Sequence, residues 1–270
     1  MLSGNSLGST LLDGLASDAN AVADLLTWDS EFWGVPIAQV RGDVLDATRL
    51  EAVNEFCREH GIACLYFLAT ADDPGATRIA EEAGFHLTDV RITLRREDTD
   101  FARDARPQVD NRVTIRRWQD PDIPELRRIA SESHRNTRFF ADTRFSRERC
   151  VRFYETWIER SCTGYADAVL VAEADAHPIG YITCHLPTAK GVSGRIGLIG
   201  IDKRVRGRGI GSRLVAAAMA WFATAGVEKV TVVTQGRNLA AIRLYERTGF
   251  QTDLVQLWYH KWYLPREGFD

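Results

Sequence analysis

The sequence predicts a two-part α/β protein built on a sheet of mixed direction. Three observations lead there. Strand-like and helix-like apolar patterns alternate along most of the chain. A polar, charged stretch, DTDFARDARPQVDNR (98–112), separates a smaller first part from a larger second one. A Gly-rich turn, RGRGIG (206–211), joins a strand to an Ala-rich amphipathic helix. The boundaries read as a disordered Ser/Gly-rich N-terminus (1–20), a small α/β domain (21–97), a linker (98–111) and a main domain (112–265).

In the first part, VLDATRLEAVNEFCREH has helical spacing in Leu45, Leu50, Val53 and Phe56, and GIACLYFLAT is a buried-strand run. DPGATRIAEEAGF is a capped helix ending at Gly84, and FHLTDVRITLRR alternates as a strand. The second part opens with the strand RVTIRRW and the helix DPDIPELRRIASES, whose Pro124 suits a first turn. A loop and the helix SRERCVRFYETWIERS follow. AVLVAEADAHPIGYITCHL is a strand pair turned at Asp175 to Pro178, and GRIGLIGID is a further strand. After the Gly-rich turn come the helix IGSRLVAAAMAWFATAG, the strand KVTVVT, the helix NLAAIRLYERTG closed by Gly249, and the long strand FQTDLVQLWYHKWYL. EEAGF (81–85) and ERTGF (246–250) read either as a weak internal repeat or as two unrelated helix–Gly–strand junctions.

Net charge is −3 and the sequence pI is about 6.1. There is no global basic field of the kind that non-specific nucleic-acid binders carry. Five cysteines without a Cys-x-x-Cys pair, and no His cluster at ligand spacing, argue against a metal site or disulfide framework; buried thiols in a cytoplasmic protein are expected. No apolar run approaches the roughly 20 residues of a membrane span.

Why place glycines at 207, 209 and 211 among Arg204, Arg206, Arg208 and Arg213? The first turn of a helix leaves about four N–H groups without intrahelical partners, at the positive end of the dipole. Glycine lets an anion approach those amides and permits the dihedrals of the turn. The spacing is not a dinucleotide fingerprint, and Gly-Lys-Ser/Thr of a P-loop is missing. Taken alone, such a turn is equally a solvated loop.

Arg-x-x-Gly-x-Gly at 204–209 and again at 206–211 resembles the acyl-CoA diphosphate loop of the GNAT superfamily of N-acetyltransferases. NLAAIRLYERTGF, with Asn238, Ala241, Tyr245, Gly249 and Phe250, resembles the second signature of that family. The resemblance covers about residues 112 to 265 and departs at Lys203, where the family often has Pro. It implies a GNAT fold preceded by a smaller, degenerate GNAT-like domain, with acetyl-CoA as cosubstrate and no metal. It further implies that Ile199, Gly200 and Ile201 pair with the pantetheine arm. Arg206, Gly207, Arg208, Gly209, Ile210, Gly211 and Ser212 would hold the diphosphate. Asn238 would contact the arm or hold splayed strands, and Tyr245 would protonate the leaving thiolate. The competing reading of Tyr245 is apolar packing beside Ile242 and Leu244.

LLTWDSEFWGVPIAQV (25–40) and RFFADTRFSRERCVRFYETWIER (138–160) resemble the corresponding stretches of the dTDP-fucosamine acetyltransferase family. This implies a small-molecule amine as acceptor, a nucleotide-linked amino sugar, with Arg138, Phe139 and Phe140 contacting the nucleotide. The competing reading makes those aromatics core plugs. The resemblance suggests Asp89 as the acidic end of a proton path, with His134 and Glu173 as further candidate bases. It also implies a homodimer through the final strand, which Trp258, Tyr259 and Trp262 would permit. The alternatives are a GNAT enzyme for another amine (a peptide N-terminus, an aminoglycoside, a polyamine) and an acyl-CoA-binding module without turnover.

Overall fold

The computed structural model describes residues 21–97, 112–187 and 193–263. The N-terminus (1–20) and the linker (98–111) of the sequence reading lie outside the described residues. The chain forms two compact units: residues 1–91, 138–149 and 255–270, and residues 92–137 and 150–254. This differs from a single cut at a linker. The segment 138–149 and the end of the final strand belong with the N-terminal elements by their contacts.

The first unit opens with β1 (Ala23–Leu25), α1 (Thr27–Trp33) and β2 (Ile37–Val40), followed by α2 (Ala47–Glu59), β3 (Cys64–Thr70) and α3 (Pro74–Glu82). The first half of β4 (His86–Glu97), the short helix α5 (Arg138–Ala141) and residues 255–262 of β10 (Gln251–Trp262) complete it. β1 and β2 are antiparallel, β2 and β3 parallel, and β3 runs antiparallel to β10 from Gln256↔Thr70 to Trp262↔Cys64. The helices begin as their sequences direct: Asp46 accepts the Arg49 N–H ahead of α2, and Asp73 accepts the Gly75 and Ala76 N–H groups ahead of α3. Leu65, Phe67 and Ala69 face Val53, Cys57, Ala76 and Ala80 of α2 and α3. Tyr66 of β3 meets the ring of Phe139. With both faces covered, β3 reads as an uninterrupted apolar run, and burying each large side chain stabilises by about 1.5–3 kcal/mol.

In the final strand, Trp258 and Tyr259 are buried, and β10 lies between β3 and β4. From Gln256 to Trp262 the final strand is thus paired within the chain, and the expected dimer through it is not shown.

The second unit contains the rest of β4 and β5 (Val113–Arg117), α4 (Ile123–Ser133), most of α6 (Arg147–Arg160), β6 (Ala168–Ala174), β7 (His177–His185) and β8 (Gly194–Ile201). It ends with α7 (Ile210–Thr224), β9 (Lys229–Gln235), α8 (Leu239–Arg247) and the first residues of β10. Its strand order is β4-β9-β8-β7-β6-β5. The β6–β7 turn places Asp175 and Ala176 at positive φ, so the hairpin closes over two residues and Pro178 already belongs to the strand. Leu214, Val215, Ala218 and Phe222 of α7 pack in one core with Ile182, Cys184, Ile196 and Val232. Gly84 and Gly249 both end their helices in the left-handed region, and each is followed by a buried phenylalanine, so the two EAGF/RTGF-like junctions share their local geometry.

Cys57, Cys64, Cys150, Cys162 and Cys184 are free and buried. Among the described residues no helix is long and apolar enough to cross a membrane.

Candidate active site

The site is built where β8 leaves its neighbour. β7 and β8 pair antiparallel, but between Ile182 and Cys184 the register shifts: Ile182 faces Ile199 while Cys184 faces Ile196. One extra residue of β8 is accommodated there as a bulge. On its other side β8 pairs parallel with β9 only from Gly194↔Val230 to Ile196↔Val232. Both strands continue beyond that point without pairing to each other, which leaves a gap along one edge of β8. Asp202 N–H donates to Ile179 O (2.9 Å) and Leu198 N–H to Thr183 Oγ1 (2.8 Å). Strand alternation therefore turns the main-chain groups of Ile199 and Ile201 toward the gap, and those of Gly200 toward β7. The Ile201 carbonyl accepts from Arg206 Nε (3.0 Å).

The turn after β8 explains its three glycines separately. Gly207 and Gly209 have φ of +79° and +77°, which a side chain disfavours, and a Cβ on Gly207 would meet nothing within 4 Å. Gly209 is the N-cap of α7, and no side chain caps the helix. The amides of Ile210, Gly211 and Ser212 thus begin a helix with open donors. Gly211 serves packing instead: a Cβ there would lie 3.0 Å from Ile201 Cδ1 and 3.0 Å from Leu244 Cδ2. It presses β8, α7 and α8 together. The amides converge at the positive end of a 15-residue helix, an arrangement that favours an anion.

Of the surrounding arginines, three have internal work. Arg204 grips the buried carboxylate of Asp202, which Arg128 also engages, and the three form one network with Glu125. These hydrogen bonds hold the Asp202 carboxyl well below the usual carboxylate range. Arg206 folds back on Ile201 O and Ser133 Oγ, and Arg213 binds Val113 O. Arg208 is exposed, and among the described residues no hydrogen bond or ion pair engages it.

Asn238 caps α8, its side chain accepting the Ala241 N–H at 3.3 Å. Tyr245, on α8, is 2 % exposed and contacts Phe250. Among the described residues no hydrogen bond engages its hydroxyl, and burial raises its pKa well above an ordinary phenol, so it holds its proton at neutral pH.

Glu173 is bound to Arg116, which also holds Asp122 at 2.7 Å. His134 closes α4, with Nε2 2.9 Å from the Tyr181 hydroxyl and its ring stacked on Tyr154. Burial and then the Arg206 charge lower its pKa to about 4, so the imidazole is neutral. Asp89 lies in the first unit on β4, buried, with Oδ1 accepting the Val90 N–H.

Also in the first unit, Arg138 is 8 % exposed and sits over the rings of Tyr66 and Trp258, each 4.1 Å away. It approaches His260 Nε2 at 3.2 Å, and His260 Nδ1 reaches Asp142 at 2.7 Å. Phe139 packs on Trp33 and Phe145. Both residues are thus buried among aromatic rings of the first unit, with cation–π contacts to Arg138. Phe140 is half-buried. Thr183, Tyr181 and Asp202 are the site residues that sequence reasoning misses; only Asp202, ahead of a turn, carries a local capping signal.

The decisive comparison concerns this same region. Residues 123–250 match the model of the acetyltransferase (GNAT) family. They form a GNAT acetyltransferase domain. The protein is an acetyl-CoA-dependent N-acetyltransferase. The chain is 27 % identical over 240 residues to a dTDP-fucosamine acetyltransferase of Escherichia coli O6:H1, covering 87 % of this chain and 96 % of that one. It is 28 % identical to a mycothiol acetyltransferase of Thermobispora bispora over 72 % of this chain and 64 % of that one. A solved GCN5-related N-acetyltransferase from Sphaerobacter thermophilus superposes with a TM-score of 0.59 at 17 % identity, over 90 % of this chain and 76 % of that one. The last likeness concerns the fold alone.

Proposed function

We propose that this cytoplasmic enzyme acetylates the amino group of a nucleotide-linked amino-deoxy sugar, a dTDP sugar in the first instance. The observation that carries the acceptor class is the end-to-end similarity to the dTDP-fucosamine acetyltransferase, which takes in 87 % of this chain and so both compact units. The thioester of acetyl-CoA supplies the acyl group. The open amides from Gly207 to Ser212, with the exposed Arg208, bind the diphosphate. The main-chain groups of Ile199 and Ile201 that face the gap align the pantetheine arm. Asn238 supports this by fixing the start of α8.

Attack by the neutral amine forms the C–N bond and breaks the C–S bond. Tyr245 gives its phenolic proton to the departing sulfur, and the proton released by the amine restores the balance. That second proton returns through water to the Tyr245 phenolate. The test is a thiol-release assay with acetyl-CoA across dTDP-linked amino sugars, free amino sugars, polyamines and peptide N-termini. The largest kcat/KM is expected with a dTDP-linked amine. A preference for an amine without a nucleotide would overturn the acceptor assignment and leave the acetyltransferase standing.

A further inference from the structure

We propose that the Thr183 hydroxyl is a positioning group: it holds the bulge of β8 in register and so decides which main-chain amides the strand offers to acetyl-CoA. This rests on the reading that the pantetheine arm lies along Ile199 to Ile201.

The bulge removes one rung of the β7–β8 ladder, and an amide without a rung must find another acceptor. Leu198 finds Thr183 Oγ1 at 2.8 Å, and Thr183 is fully buried, so water cannot replace the hydroxyl. The seat for this bond is cut by a glycine. A Cβ on Gly197 would lie 2.7 Å from Thr183 Oγ1 and 2.6 Å from His185 Nε2, closer than real Cβ contacts come. The pair Thr183–Gly197 is therefore a matched device in which one residue supplies the acceptor and the other makes room for it.

The consequence is directional. With the Leu198 amide drawn toward β7, alternation sends the Ile199 amide to the opposite edge, just past Ile196, where pairing with β9 ends. An apolar residue at 183 leaves the Leu198 amide buried without a partner. The simplest repair is a slip of β8 by one residue, which exchanges the two edges and turns the Ile199 amide inward. Thr183 itself need touch neither the coenzyme nor the acceptor.

The test uses the full chain with Thr183→Val, which keeps the shape and removes the acceptor, and Thr183→Ser, which keeps the hydroxyl. Affinity for CoA is measured by titration calorimetry, KM for acetyl-CoA and kcat with one amine, and folding by thermal melting. Thr183→Val is expected to weaken CoA binding about tenfold and to raise KM more than it lowers kcat, with Thr183→Ser restoring most of the loss. Wild-type affinity in folded Thr183→Val overturns the proposal, as does a Ser variant as weak as the Val variant, which would point to packing.

Should the Val variant not fold, hydrogen exchange by NMR on the wild type decides. Leu198 should be protected with and without CoA, and Ile199 only with it. A Leu198 amide that exchanges freely in the free protein sinks the proposal. A protected Leu198 in a wild type that binds no CoA would remove the coenzyme-binding reading, and the purpose assigned to Thr183 with it.

Discussion

Tyr245 is where a packing role and the proposed proton transfer must be told apart. The side chain is part of the core on the α7 side of the sheet, which would satisfy a purely structural role, yet no hydrogen bond engages its hydroxyl among the described residues. Replacing Tyr245 by phenylalanine removes only the hydroxyl and leaves the ring contact with Phe250. Tyr245→Phe is therefore expected to fold at least as stably as the wild type while losing about 100-fold in kcat, with little change in KM for acetyl-CoA. Steady-state kinetics beside a melting curve checks it; an unchanged kcat would return Tyr245 to the core.

The α8 helix carries that tyrosine and begins at a side-chain cap. Asn238 accepts one of the orphan N–H groups of the first turn, and Gly211 lets the helix approach α7 and β8 through Leu244. Asn238→Ala is expected to lower stability by about 1 kcal/mol and Asn238→Asp to retain the cap, with the difference read from urea midpoints. If both variants match the wild type in stability, the cap contributes nothing measurable and Asn238 must be kept for the coenzyme. The Gly-rich turn is likewise a property of an element. Its neighbouring carboxylate, Asp202, takes up Arg204 and Arg128, so the turn presents less positive charge than its arginine count suggests.

At the scale of the molecule, three histidines set the response to acid, His185 and His260 buried and His134 half-buried. His134, His185 and His260 are each lowered from 6.5 to about 4, in every case chiefly by burial. Their folded pKa values lie below the unfolded ones, so the unfolded chain takes up protons first as pH falls. The stability they allow is fully present above about pH 6.5 and is lost progressively toward pH 4, on the order of 3 kcal/mol for each at most. Asp29 opposes this: burial raises its carboxyl to about 6, so protonation of the folded state relieves an unfavourable buried charge between pH 6 and 4. Three groups against one predict a net fall. Urea midpoints at pH 7, 6 and 5 should decrease in that order, and a flat or rising series would contradict the assignment.

From α2 onward the order of the main strands and helices, the capped start of α3 and the Gly-rich turn could be read from the chain alone. Each rests on interactions within a few residues: apolar periodicity, a polar group ahead of a helix, a glycine where φ must be positive. The short helix α5 and the burial of Arg138 could not, because Tyr66, Trp258 and His260, which make room for that guanidinium, lie at least 72 residues away along the chain. Nor could the Thr183 contact with Leu198, which depends on a register shift between two strands. Sequence by itself determined most of the elements and where a helix would begin at a glycine turn. Tertiary structure alone decided which arginines remain available, which amides face the gap and which polar side chains are enclosed, since those outcomes depend on distance through space rather than along the backbone.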